Sequence, residues 1–153
     1  MGPVTRAARF PGMTYDEWEA TVPAGARSDP TWKVEVYRMG LYLGALAWRD
    51  AERLIGDPRG AVVAGQLMRS AASIAANVAE GYGRRSPKDR AKFHEYALGS
   101  AGETRGWYLT TVDLIGKNTI DERLATLLSV TRLLLTMISP SLYRSLSHLS
   151  SQC

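Results

Sequence analysis

Arg90-Ala91-Lys92-Phe93-His94 sets an arginine and a histidine one helical turn apart, where their side chains stack if the segment is a helix. That residue pair is the equipment of helical-bundle ribonucleases. The match is incomplete. Three residues separate the pair, fewer than that motif requires, and alanine follows the arginine where the motif has a polar residue. His94 is therefore expected to be a surface or interface residue beside Phe93. A di-iron bundle needs glutamate three residues before histidine on two helices, and neither His94 nor His148 has one. The single cysteine, Cys153, is the last residue and assembles no nucleophile set. Gly81-x-Gly83 lacks the lysine and the serine or threonine of a phosphate loop. No metal, no cofactor and no enzymatic activity are expected.

The chemistry that remains is charge. Arg84, Arg85, Lys88, Arg90 and Lys92 are opposed locally only by Asp89, so this short stretch carries the whole net charge of +4. A basic cluster on an otherwise balanced domain attracts polyanions. The competing reading is a solvated helix start. Just upstream, Gln66, Arg69, Ser73, Asn77 and Glu80 recur at helical spacing and share one face. A solvent face would favour lysine and glutamate over serine and asparagine. Arg69 is expected to pair with Glu103 of the next helix, buried or half-buried, with Ser100 near by. The two helices would approach closely through Ala71, Ala72, Ala75, Ala76, Gly99 and Gly102. Glu80 stands at a helix C-terminus, where the macrodipole disfavours it. It should therefore meet Arg84, Arg69 or the amides that start the next helix. Asn77 is expected to bond across to a neighbouring helix or loop. Tyr82 either packs over the helix end or stacks on an unpaired base.

The elements that position these residues read as helices, with no sustained two-residue alternation. The first runs from Pro30 to Leu54, with Asp29 as N-cap and Val36, Met39, Leu43, Leu46 and Leu54 on one face. Gly56-Asp57-Pro58 stops it, with glycine in a left-handed cap. The second spans Arg59 to Ala79 and is ended by Gly81 and Gly83. The third starts at Ser86-Pro87 and continues to Ile115, with Phe93, Tyr96, Ala97, Ser100, Thr104, Trp107, Thr111 and Leu114 inward. Gly116-Lys117-Asn118 is the next turn. The fourth spans Asp121 to Ile138, before Pro140, and is apolar over more than half its circumference. Leu133, Leu135 and Met137 are therefore expected to face a neighbouring subunit.

Short loops give an all-α, antiparallel up-down-up-down four-helix bundle over residues 30–146. Residues 1–29 form an N-terminal arm with one short helix near Tyr15 to Ala20, and residues 147–153 a C-terminal tail. Hydrophobic residues at 45% and charged residues at 22% describe a globular chain, not a disordered one. No run approaches the ~20 apolar residues of a membrane span. Nothing suggests an oxidising compartment, so a cytoplasmic location without membrane partners is expected.

Gln66-x-x-Arg69-Ser70-Ala71-x-Ser73-Ile74-x-x-Asn77-Val78-Ala79-Glu80-Gly81-Tyr82-Gly83-Arg84-Arg85 resembles the signature of bacterial 23S rRNA intervening-sequence proteins. Phe93 and Ala97-x-Gly99-Ser100-x-x-Glu103 match the same pattern on the following helix. The resemblance covers about residues 32–146, and residues 1–29 depart from it. It implies an up-down bundle that assembles into a homo-oligomeric ring, commonly a pentamer, with a basic surface for nucleic acid, RNA before DNA. The architecture is also similar to accessory proteins of diversity-generating retroelements, which bind a reverse transcriptase and its RNA. Neither group is known for catalysis. A protein-interaction scaffold beside a reverse transcriptase is the alternative that this implies.

Overall fold

The computed structural model describes residues 12–139, and these are all helix, turn or coil, with no strand among them. Pro140, His148, Cys153 and the tail 147–153 lie outside the described residues. In chain order the helices are α1 (Tyr15–Thr21), α2 (Ala24–Arg27), α3 (Glu35–Leu54), α4 (Pro58–Tyr82), α5 (Pro87–Thr110), α6 (Val112–Ile115) and α7 (Lys117–Ile138). Four are long. Each of these packs on two others: α3 on α4, α4 on α5, α5 on α7, and α7 on α3.

The boundaries follow from side-chain chemistry. Asp57 accepts from the backbone N–H groups of Arg59 and Gly60, and Pro58 fills the first position of α4. Ser86 accepts from the Asp89 N–H before Pro87, as expected. Asp29 does cap the next segment, but Pro30–Lys33 forms only a 3-10 turn, and extended Val34 separates it from α3. The break turns Val34 onto the main core. Gly56 is not left-handed, because Ile55 closes α3 in an ordinary right-handed conformation. Gly116 is the glycine that a turn requires, with φ of 97° between α6 and α7. Lys117 and Asn118 already belong to α7. The helix expected to reach Ile115 is interrupted at Thr111, whose buried hydroxyl bonds back to the carbonyls of Trp107 and Tyr108, both at 3.1 Å.

The main core gathers Val36, Leu43 and Leu54 of α3, Leu67, Ile74 and Val78 of α4, Ala97 and Tyr108 of α5, and Leu127 and Leu134 of α7. Gly40 lets α3 back onto α4, since a Cβ there would stand 3.1 Å from the Ala75 nitrogen. A second core lies on the outside of α3. The short helix expected near Tyr15 is present, fixed by a Thr14–Glu17 capping box. It lays Trp18 against Tyr42 and Leu46, and Trp18 stacks on Trp32 with centroids 6.1 Å apart. The Tyr42 hydroxyl donates to the Met13 carbonyl at 2.7 Å. The described part of the arm is thus docked on α3.

One buried group escaped the sequence reading. Arg123 of α7 donates through Nε and Nη2 to the two oxygens of Asp50 on α3, at 2.7 and 3.2 Å. The Tyr108 hydroxyl of α5 donates to Asp50 Oδ2 at 2.9 Å. Asp50 is 2% exposed and Arg123 8%. Burial and the adjacent carboxylate raise the Tyr108 pKa, so the hydroxyl stays a donor. Burial alone would lower the Arg123 pKa, but the hydrogen bonds and charge of Asp50 outweigh it and the net direction is upward.

Arg123→Leu strands the Asp50 carboxylate in the core and is expected to cost roughly 3–5 kcal/mol in urea unfolding at neutral pH. The double change Asp50→Leu/Arg123→Leu removes both charges and should recover much of that loss. A double variant as unstable as the sum of the two singles would contradict the assignment of a coupled pair.

Candidate nucleic-acid interface

The basic cluster sits where α4 hands over to α5. Gly83 caps α4 in a right-handed conformation, and Gly83–Ser86 is the whole connection. Gly81 does not end the helix. It lies buried inside α4, where a Cβ would stand 3.1 Å from the Phe93 Cβ and 3.3 Å from the Arg90 carbonyl oxygen. Only hydrogen in place of a side chain lets the start of α5 press this closely on α4.

All five cations of the cluster are exposed. Three are engaged by their own chain. Arg84 pairs with Glu80 one turn back, and its guanidinium stands over the Phe93 ring at 4.8 Å. Arg90 donates to the Arg84 carbonyl at 3.3 Å, bracing the turn. The Lys92 ammonium stands 5.8 Å over the Tyr96 ring, which meets Phe93 edge-on at 5.7 Å. Arg85 and Lys88 have no hydrogen bond or ion pair among the described residues. The Arg84–Glu80 pair gives Glu80 the partner its position demands, though at a surface where such pairs contribute little.

The polar stripe runs along the α4–α5 seam. Arg69 Nη2 donates to Gln66 Oε1 at 2.8 Å and to Glu103 Oε1 at 2.6 Å, and Trp107 Nε1 donates to the same Glu103 oxygen at 3.4 Å. The expected Arg69–Glu103 pair forms, but with side chains 60% and 38% exposed it is a surface bridge, not a buried one. Asn77 does not reach a neighbouring helix. Its amide donates back to the Ser73 carbonyl at 2.8 Å, and Ser73 donates to the Arg69 carbonyl at 2.8 Å. Ser100 likewise turns to its own helix, donating to the Tyr96 carbonyl at 3.1 Å.

Four of the six small residues expected in the seam lie elsewhere. Ala72, Ala76, Gly99 and Gly102 are exposed. Buried contact between the helices runs instead through Ser70, Ala71, Ile74, Val78 and Gly81 against Ala97, Ala101 and Thr104. One residue's shift turns a helical side chain by about 100°, enough to move it out of the seam. Thr104 Oγ1 donates to Ser70 Oγ across it at 3.0 Å. Tyr96, expected inward, is 48% exposed.

His94, expected at the surface or an interface, is 7% exposed, and its Nδ1 is the buried side-chain polar atom without a partner among the described residues. Arg90 is exposed, whereas His94 packs against Gly81 of α4, where a Cβ would stand 3.4 Å from its Cδ2. Burial first, and the charge of Arg90 second, lower the His94 pKa. On α7, Leu133 is half-buried against the core, Leu135 is half-buried, and Met137 is 40% exposed. Among the described residues no group of three His, Cys, Asp or Glu side chains is placed to hold a metal.

A family model described as 23S rRNA-intervening sequence protein matches residues 34–137. A solved structure of a protein of unknown function from the S23 ribosomal protein family of Bacteroides thetaiotaomicron superposes with a TM-score of 0.64 at 23% identity. The alignment covers 68% of this chain and 98% of that one, and at this identity the likeness is one of fold. No curated protein matches the chain significantly.

The lowered His94 pKa makes a pH prediction. Below about 6.5, the ordinary value for histidine, an unfolded chain takes up a proton that the folded chain resists, so stability is lost as pH falls through that window. The melting temperature is expected to drop between pH 7 and pH 5, and His94→Leu should flatten that drop. An unchanged slope in the variant would show that His94 is not the group responsible.

Proposed function

The chain belongs to the 23S rRNA-intervening sequence protein family, and we propose that it binds nucleic acid, RNA before DNA, without catalysing a reaction on it. The observation that carries the reading is the pair Arg85 and Lys88, exposed and without partners among the described residues, in a stretch that holds the chain's whole net charge. Unpaired surface cations are free to exchange counterions for phosphates. We read the protein as a homopentameric ring of antiparallel up-down-up-down four-helix bundles over residues 30–146, which the packing order of the long helices supports. In a ring the basic turn repeats once per subunit, and weak phosphate contacts add by multivalency. Exposed Met137 and half-buried Leu135 support an interface on α7. No helix among the described residues is long and apolar enough to cross a membrane, and a cytoplasmic site of action accords with this.

A second reading, an accessory scaffold beside a reverse transcriptase, is favoured by one feature. An apolar groove of about 450 Å³ opens between α3 and α4, lined by Gly40, Leu41, Gly44, Trp48 and Met68. Trp48 is 63% exposed there.

RNA and DNA titrations across several salt concentrations test the first reading. Binding should weaken steeply with salt, and Arg84→Glu/Arg85→Glu/Lys88→Glu should abolish it while light scattering still reports the wild-type oligomer. Binding that appears only when a second protein is added would support the scaffold. Absence of salt-sensitive binding to either polymer would reduce the cluster to a solvated helix start. A single-chain mass for the wild type would remove the ring.

A further inference from the structure

The tyrosines among the described residues are used differently; Tyr37 is half-buried against the main core. The hydroxyls of Tyr15, Tyr42 and Tyr108 all donate to partners, namely Glu19, the Met13 carbonyl and Asp50. These rings are structural. Tyr82 and Tyr96 are each 48% exposed, and neither hydroxyl has a hydrogen-bond partner among the described residues. Both belong to the basic end. Tyr82 is the last residue of α4, immediately before Gly83-Arg84-Arg85, and Tyr96 stands edge-on to Phe93, itself under the Arg84 guanidinium. Arg84, Phe93, Tyr96 and Lys92 therefore succeed one another as cation, ring, ring, cation.

Packing does not explain the exposure. Tyr96 precedes fully buried Ala97 and lies well inside α5, so a rigid backbone presents a half-exposed ring to water. Apolar area left in water is a standing loss unless something covers it. A flat ring between cations suits a flat partner that carries negative charge on its backbone. Interface cores between proteins are depleted of charge, whereas here the rings sit among the chain's entire basic excess. A duplex offers its phosphates but keeps its base faces stacked, so only an unpaired strand can use both ring and cation.

We propose, building on the nucleic-acid reading above, that the α4–α5 end takes an unpaired strand, with bases stacked on Tyr96 and Tyr82 and phosphates held by Arg85 and Lys88. Lys92, which covers the Tyr96 ring in the free protein, moves to a phosphate when a base takes its place. Stacking tolerates any base, so the site discriminates strandedness and not sequence.

Fluorescence anisotropy with end-labelled oligouridine, an RNA duplex of equal length and an abasic strand of equal length, each over a salt series, tests this. The full-length oligomer should bind oligouridine about tenfold or more tighter than either control, the scale of one stacked base. Tyr82→Ala/Tyr96→Ala should remove that margin, leave duplex binding unchanged and keep the slope of affinity against salt. Arg85→Gln/Lys88→Gln should instead flatten the slope for all three. Tyr96→Trp should preserve the preference, which separates stacking from a fold defect. Equal binding of all three polymers, with no effect of the tyrosine changes, overturns the stacking proposal and leaves the electrostatic reading standing. No salt-sensitive binding to any of them removes both. Dissociation of the oligomer by the tyrosine changes, with polymer binding intact, overturns the proposal in favour of a subunit contact.

Discussion

A guanidinium and a carboxylate withdrawn from water fix the architecture. Arg123 and Asp50 each forfeit hydration on burial, and only a close, two-point pairing with a further donor from Tyr108 offsets that loss. The geometry is unforgiving, because sliding α3 or α7 by a turn would strand a charge, and sliding α5 would strand the Tyr108 hydroxyl. Apolar contacts tolerate slippage far better. The triad thus ties α3, α5 and α7 in one register, and α4 fits against α3 and α5 through small residues and the Ser70–Thr104 hydroxyl pair. Tyr108 lies near the C-terminal end of α5, roughly 30 Å along the helix from Pro87 by the rise per residue. The polar anchor therefore occupies one end of the molecule and the basic turn the other.

That separation explains how the basic end is held. No buried ion pair reaches it among the described residues. Its order comes from close approach at Gly81, from a cation over Phe93, and from Arg90 bonding the turn's own backbone. Arg84 and Arg90 hold the turn in shape and Lys92 covers the Tyr96 ring, which leaves Arg85 and Lys88 without a partner among the described residues. His94 is buried at this same close approach with a nitrogen that has no partner among the described residues. An unsatisfied polar atom in a packed contact is a standing cost, and it falls on the end that the triad does not brace.

Much of this was legible in the chain. Proline after serine marked the start of α5, and the capping box marked α1, because such signals act over three or four residues. Glu80 needed a cation, and Arg84 one turn on supplied it. What could not be read depended on partners distant in sequence. Asp50 and Arg123 each sit on the apolar stripe of a helix, where a lone charge looks like an interruption; only their juxtaposition makes sense of both. Spacing put Tyr96 and the glycines of α5 near the α4 contact, yet a rotation of about 100° per residue made the difference between buried and exposed. The break at Val34 answered to the main core, which no local pattern reveals.

The aromatic cluster that docks the N-terminal segment on α3 has an optical consequence. Trp18, Trp32 and Trp48 all fall within the first third of the chain, and the remaining tryptophan, Trp107, lies beside Glu103 on the seam. Three of the four indoles therefore lie on α3 or in the segment docked against it. Tyr82 and Tyr96 at the basic turn contribute little against four indoles. A transition followed by tryptophan fluorescence would register detachment of the N-terminal segment, and the far end of the molecule could open or take up a partner with scarcely a change in signal.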